Sequence, residues 1–124
     1  MARILLVDDN QDLLMAMTAC LEDTGHLTTQ ATNGNDALRL VDSSHFDLVI
    51  TDIVMPEKEG IETILELRQL FPLIKIIAMS GGDAAHPQTN LHMAQLLGAY
   101  TTLNKPFTGD QLKSAISTAL QASA

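Results

Sequence analysis

A single cysteine, Cys20, leaves this 124-residue chain without a disulfide and without the thiol set of a metal cluster. Cys20 stands among apolar neighbours and reads as a buried thiol. Positive charge is scarce too: 7 Lys and Arg face 15 Asp and Glu, for a formal charge of -8. The acidic residues are scattered rather than gathered in a tail. Such a surface is a poor match for a phosphate backbone, so direct nucleic-acid binding by this chain is disfavoured, and no zinc finger or other nucleic-acid module is present. No apolar run has the length needed to cross a bilayer, so no membrane association is expected. The start, Met1-Ala2-Arg3 followed by Ile4-Leu5-Leu6-Val7, lacks the long apolar segment and cleavage pattern of a signal peptide. The chain is therefore expected in the cytoplasm, and at the amino terminus of any longer protein.

Several chemistries lack their motifs. His26, His45, His86 and His92 show no ligand spacing with one another or with Cys20, and each reads as a surface or turn residue. Gly81-Gly82 is no dinucleotide fingerprint, and there is neither a Walker-type loop with its lysine nor a nucleophile elbow. Met15, Met17, Met55, Met79 and Met93 read as core fillers.

What is present is a strong apolar pattern. Apolar residues make up 46% of the chain, which argues against disorder, and the length suits one domain with one sizeable core, residues 1–124. Residues 3–7 form a buried strand ending in Asp8-Asp9. Residues 11–24 follow with helical periodicity through Leu14, Met17 and Leu21, stopped by Gly25. A more polar strand covers 26–31 and a short helix 33–41. Residues 46–51 form a central strand that delivers Asp52 at its carboxyl end, and Pro56 and Gly60 shape the next loop. A helix over 61–70 is closed by Pro72, and a buried strand over 74–79 ends at Ser80-Gly81-Gly82. A weaker helical pattern covers 83–97, interrupted by Pro87. The fifth strand, 100–104, ends at Lys105-Pro106. Thr108 and Gln111 make a capping box for a last helix to about Leu120, with a frayed tail over 121–124. Five strands alternating with five helices predict a doubly wound parallel α/β sheet covered on both faces.

In open α/β sheets, sites form at the carboxyl ends of the strands. The polar residues there are Asp8, Asp9, Asp52, Ser80 and Lys105. Each has an ordinary structural reading, as a turn, a cap or a surface lysine; together at one sheet edge they read as a site. Three close carboxylates raise one another's pKa values unless a cation sits among them, and oxygen-only ligation suits Mg²⁺. A lysine and a hydroxyl beside them supply what a transferring phosphoryl group needs, and an aspartate carboxylate is a competent phosphoryl nucleophile.

Val7-Asp8-Asp9, then Asp52-Ile53-Val54-Met55-Pro56 with Gly60, then Ser80, then Lys105-Pro106-Phe107, in that order and at those separations, closely resemble the receiver domain of two-component response regulators. The resemblance spans essentially the whole chain. It implies a flavodoxin-like, CheY-like sheet of order 2-1-3-4-5, with Asp52 phosphorylated by a histidine kinase or a histidine phosphotransfer protein. It implies Mg²⁺ (or Mn²⁺) held by Asp8, Asp9, Asp52 and the Val54 carbonyl, Lys105 paired with the phosphoryl oxygens, and a cis bond from Lys105 to Pro106. Ser80 would move to meet the phosphoryl group, and the domain would also catalyse its own dephosphorylation, at a rate tuned by Val54 and Gly82. It would act chiefly as a signalling switch, read by a downstream protein or by an output domain absent from this chain.

Two positions depart from the pattern. The family's usual aromatic three residues before the lysine is here Thr102, while Tyr100 lies two residues earlier, on the same face of a strand and able to substitute only in part. Lys58-Glu59 replaces a pair that is usually hydrophobic and acidic, which alters the loop surface. The rival readings are a receiver-like module that has lost phosphorylation and only binds a partner, and a flavin-binding relative, whose purified protein would be yellow.

Overall fold

The computed structural model describes residues 2–53, 60–80 and 98–121, with residues 60 and 61 described by backbone only. The segments 54–59 and 81–97 lie outside it, and with them Val54, Met55, Pro56, Lys58, Glu59, Gly82, His86, Pro87, His92, Met93 and the expected helix over 83–97.

The strands are β1 (Arg3–Val7), β2 (Leu27–Ala31), β3 (Leu48–Asp52), β4 (Lys75–Ser80) and β5 (Thr101–Asn104). All pairings are parallel and the order is β2-β1-β3-β4-β5, as the resemblance implies. The helices are α1 (Gln11–Leu21), α2 (Gly34–Ser43), α3 (Gly60–Leu70) and, last among the described residues, α4 (Gly109–Gln121).

Strand alternation splits the core in two. Leu5, Val7, Val49, Ile76 and Ala78 pack on one side of the sheet with Ala37 and Val41 of α2 and Ile64 and Leu67 of α3. Ile4, Leu6, Leu48, Ile50, Ile77 and Met79 pack on the other with Leu14, Met17 and Leu21 of α1 and Leu112, Ile116 and Ala119 of α4. Because both faces are covered, the central strands read as continuous apolar runs and every residue of β3 is buried. Edge strand β2 keeps a polar character, with only Ala31 buried.

Local chemistry sets the element ends. Asn10 caps α1 by accepting from Leu13 N at 3.1 Å, and Asn33 caps α2 by accepting from Asp36 N at 2.8 Å. The expected capping box is present: Gln111 N donates to Thr108 Oγ1 at 3.0 Å, and Thr108 N donates to Gln111 Oε1 at 2.8 Å.

Some expectations need correction. The first helix ends at Leu21 rather than 24, because the Thr24 hydroxyl donates to Leu21 O at 2.6 Å in a tight 3₁₀ turn, Glu22–Thr24. Gly25, at φ +81°, ends that turn. Gln121 is the last residue of α4 rather than tail, its amide donating to Ser117 Oγ at 3.2 Å. Gly60 opens α3. Met17 and Met79 are core residues, but Met15 is 64% exposed, one position off the buried Leu14–Met17–Leu21 stripe. Cys20 is half-buried rather than buried. It packs where α4 begins, so close that a β-carbon on Gly109 would stand 2.9 Å from its Sγ.

Candidate functional site

Parallel register carries the predicted residues to one edge. Val7 pairs with Thr51 and Asp52 with Met79, so the carboxyl ends of β1, β3 and β4 finish side by side. Ser80 pairs with Asn104, and Lys105 N donates to Ser80 O at 2.6 Å, which fixes the backbone from which the lysine side chain springs. The bond from Lys105 to Pro106 is cis, as expected.

Asp8, Asp9 and Asp52 each present a carboxylate oxygen, all within 4.8 Å of one another. Asp8 is fully buried and Asp52 is 7% exposed, while Asp9 is open to solvent. Lys105 Nζ lies 2.6 Å from Asp8 Oδ2 and 3.4 Å from Asp52 Oδ1, bridging the two buried acids. Ser80, also buried, closes β4 beside them.

The electrostatics follow from burial. Removal from water pushes the Asp52 carboxyl up to about 6 and the Asp8 charge adds to this, while Lys105 and the Ile53 N–H, 3.0 Å from Asp52 Oδ1, pull the other way. Asp9 is also raised, first by burial and then by Asp8. One ammonium shared between three carboxylates leaves excess negative charge in a partly dry pocket. An all-oxygen donor set of that charge fits a hard divalent cation.

Two supporting residues are absent from the sequence reading. Asn10, besides capping α1, donates its backbone N–H to Asp8 Oδ1 at 2.9 Å and so orients that carboxylate. The Asn just before a helix was the signal for it. Thr51, buried beside Asp52, donates its hydroxyl to the Asp52 carbonyl at 3.0 Å; as one more β-branched residue of a central strand it carried no separate signal.

The two switch candidates part company. Thr102 lies inside β5 and lines a shallow groove against α4 with Asn104, Phe107 and Gln111. Tyr100 precedes the strand, at the end away from Ser80. It is 41% exposed, with Lys75 Nζ 5.4 Å from its ring centroid. Val54, the expected carbonyl ligand, lies outside the described residues. The histidines answer their reading where described: His45 is exposed beside Asp47, and half-buried His26 accepts from Ala2 N at 3.0 Å. No helix among the described residues is long and apolar enough to cross a membrane.

Comparison with known proteins agrees with this fold. The chain is 36% identical over 123 residues to the transcriptional regulatory protein CpxR of Escherichia coli, covering 99% of this chain and 51% of that one. It is 33% identical over 119 residues to the DNA-binding transcriptional regulator NtrC of Azospirillum brasilense, covering 96% of this chain and 24% of that one. The chain thus spans about a quarter to about half the length of these curated relatives. The receiver domain of NtrX from Brucella abortus superposes with a TM-score of 0.90 at 29% identity, over 97% of this chain and 99% of that one. The family model for the response regulator receiver domain matches residues 4–117, and the chain belongs to that family.

Proposed function

We propose that this chain, taken as a single receiver domain over 1–124, accepts a phosphoryl group on Asp52 from a phosphohistidine of a histidine kinase or phosphotransfer protein. The observation that carries the proposal is the shared reach of Lys105, which touches both Asp8 and Asp52 within a three-carboxylate cluster. An Asp52 oxygen attacks phosphorus, the bond from phosphorus to the histidine nitrogen breaks, and the imidazole leaves with that electron pair. Asp8, Asp9 and Asp52, with the Val54 carbonyl, would hold Mg²⁺ or Mn²⁺. The bound cation supplies neutralisation of the phosphoryl oxygens.

Lys105 turns from Asp52 to the new phosphoryl oxygens, and the Ser80 hydroxyl donates to another. Because both sit at strand ends in the same sheet, their shifts pass into β4 and β5. Water attack at phosphorus returns Asp52 and phosphate. In this reading the chain is a cytoplasmic switch that acts on a downstream protein or an output domain, and Thr102 makes its readout different from that of an aromatic relay.

Incubation with Mg²⁺ and acetyl phosphate is expected to add one phosphoryl mass, labile to base, and Asp52→Asn to abolish it. An unchanged mass with active donor, or labelling that survives Asp52→Asn, would sink the proposal.

A further inference from the structure

At the sheet edge opposite Asp52, two cations share a concavity that contains no acid among its described lining residues. Arg68, near the end of α3, and Lys75, at the start of β4, line a cavity of about 310 Å³ with Leu73, Gly98 and Tyr100. Arg68 Nη1 donates to Pro72 O at 2.8 Å, which fixes the guanidinium. Its Nε is buried and has no hydrogen-bond partner among the described residues. Gly98, at φ +111°, lets the backbone cross close by: a β-carbon there would stand 2.9 Å from both Cδ and Nε of Arg68. Burial pulls the Arg68 pKa down, and no acid among the described residues offsets it. Lys75 leans over the Tyr100 ring at 5.4 Å, a contact that steadies the ammonium without neutralising it.

A half-buried guanidinium with no anion among the described residues is costly, and a planar donor array beside an ammonium is the usual receptor for carboxylate or tetrahedral oxyanions. Two described acids are held elsewhere: Asp47 accepts from Arg3 N and meets His45, and Asp23 meets Lys113. In a chain of charge -8, an acid-free pocket with two cations is a local exception that its fold maintains.

We propose that Arg68 and Lys75, framed by Gly98 and Tyr100, form a binding site for a single small oxyanion, remote from the phosphoryl-acceptor site. The anion is either a free inorganic ion or the carboxylate of a glutamate side chain presented by another molecule. The site binds from the outer guanidinium nitrogens and Lys75 Nζ, and its loading would tie the end of α3 to the starts of β4 and β5.

The test is an NMR titration of the full chain with sodium sulfate and, separately, with N-acetylglutamate amide. Sodium chloride at equal ionic strength is the control. Saturable shifts of the Gly98 amide and the Arg68 Nε–H are expected, weakened about fivefold or more by Lys75→Gln, a half-exposed position whose replacement leaves the core intact. Arg68→Lys, which keeps the charge but loses the planar array, should weaken binding as well. Tighter binding of sulfate or of the carboxylate identifies the source. Shifts that match the chloride control, or that are unaltered in Lys75→Gln with the fold verified by its spectrum, would overturn the site.

Discussion

Asp52 holds a charge that the fold resists. Its carboxyl titrates near 6 in the metal-free protein, against 3.8 for an unperturbed aspartate, because it is buried beside Asp8. A carboxyl raised in the folded state binds its proton more tightly there than when unfolded. The contribution of this group to stability is then highest below the unfolded value, falls as pH rises from about 4 to about 6, and stays level above. In metal-free buffer, Asp52→Asn should therefore stabilise the protein at pH 7 by about 1–2 kcal/mol, with the gain fading by about pH 4. Asparagine can still accept from Ile53 N, and Lys105 keeps Asp8 at 2.6 Å. Urea denaturation of both proteins across that range checks the sign; a destabilised variant at pH 7 would show that the Lys105 contact outweighs burial. Asp8 and Asp52 were legible in the sequence because each closes an apolar strand. Asn10 was legible as a helix cap, but its backbone N–H bond to the Asp8 carboxylate was not, because that bond depends on how the turn folds.

At the scale of elements, the sharpest constraint lies where α1 meets α4. Replacing a helical glycine with alanine at a compatible site usually stabilises by about 0.4–1 kcal/mol. At Gly109 the added methyl would meet Cys20 Sγ at 2.9 Å, so Gly109→Ala should destabilise instead. Removing the sulfur restores the ordinary sign: in a Cys20→Ala background the same change should be neutral or stabilising. A double-mutant cycle by chemical denaturation should give a coupling of about 1 kcal/mol, and a coupling near zero would mean that the helices simply shift apart. This contact was beyond sequence reasoning, since residues 20 and 109 approach only after both helices pack on one face of the sheet. The capping box at Thr108 was legible because its partners are three residues apart.

At the scale of the whole molecule, the sheet brings together acids that start 44 residues apart and draws them toward a lysine at 105. Any cation that binds this cluster only when the chain is folded must stabilise the fold, by about 2.7 kcal/mol at a hundred times its dissociation constant. Mg²⁺ is therefore expected to raise the melting temperature of the wild-type chain in a saturable way. Asp9→Asn, at an exposed position, should lose most of that increment while leaving the metal-free melting temperature nearly unchanged. An equal Mg²⁺ response in that variant would remove Asp9 from the ligand set. Thermal scans with Mg²⁺ against Ca²⁺ at matched ionic strength separate specific binding from screening.

Apolar periodicity and strand-end polarity are local signals, so the strands, the four described α-helices to within a few residues, the two covered faces of the sheet and the candidate polar residues at its edge were legible in the chain. The sheet order followed from the resemblance, not from periodicity. How these residues face one another came from packing. It set the 2.6 Å contact of Lys105 with Asp8, the raised carboxyl of Asp52, the place of Tyr100 beside Lys75 instead of near Ser80, and the exposure of Met15. Those depend on register, helix rotation and burial, which arise from contacts between residues far apart in the chain.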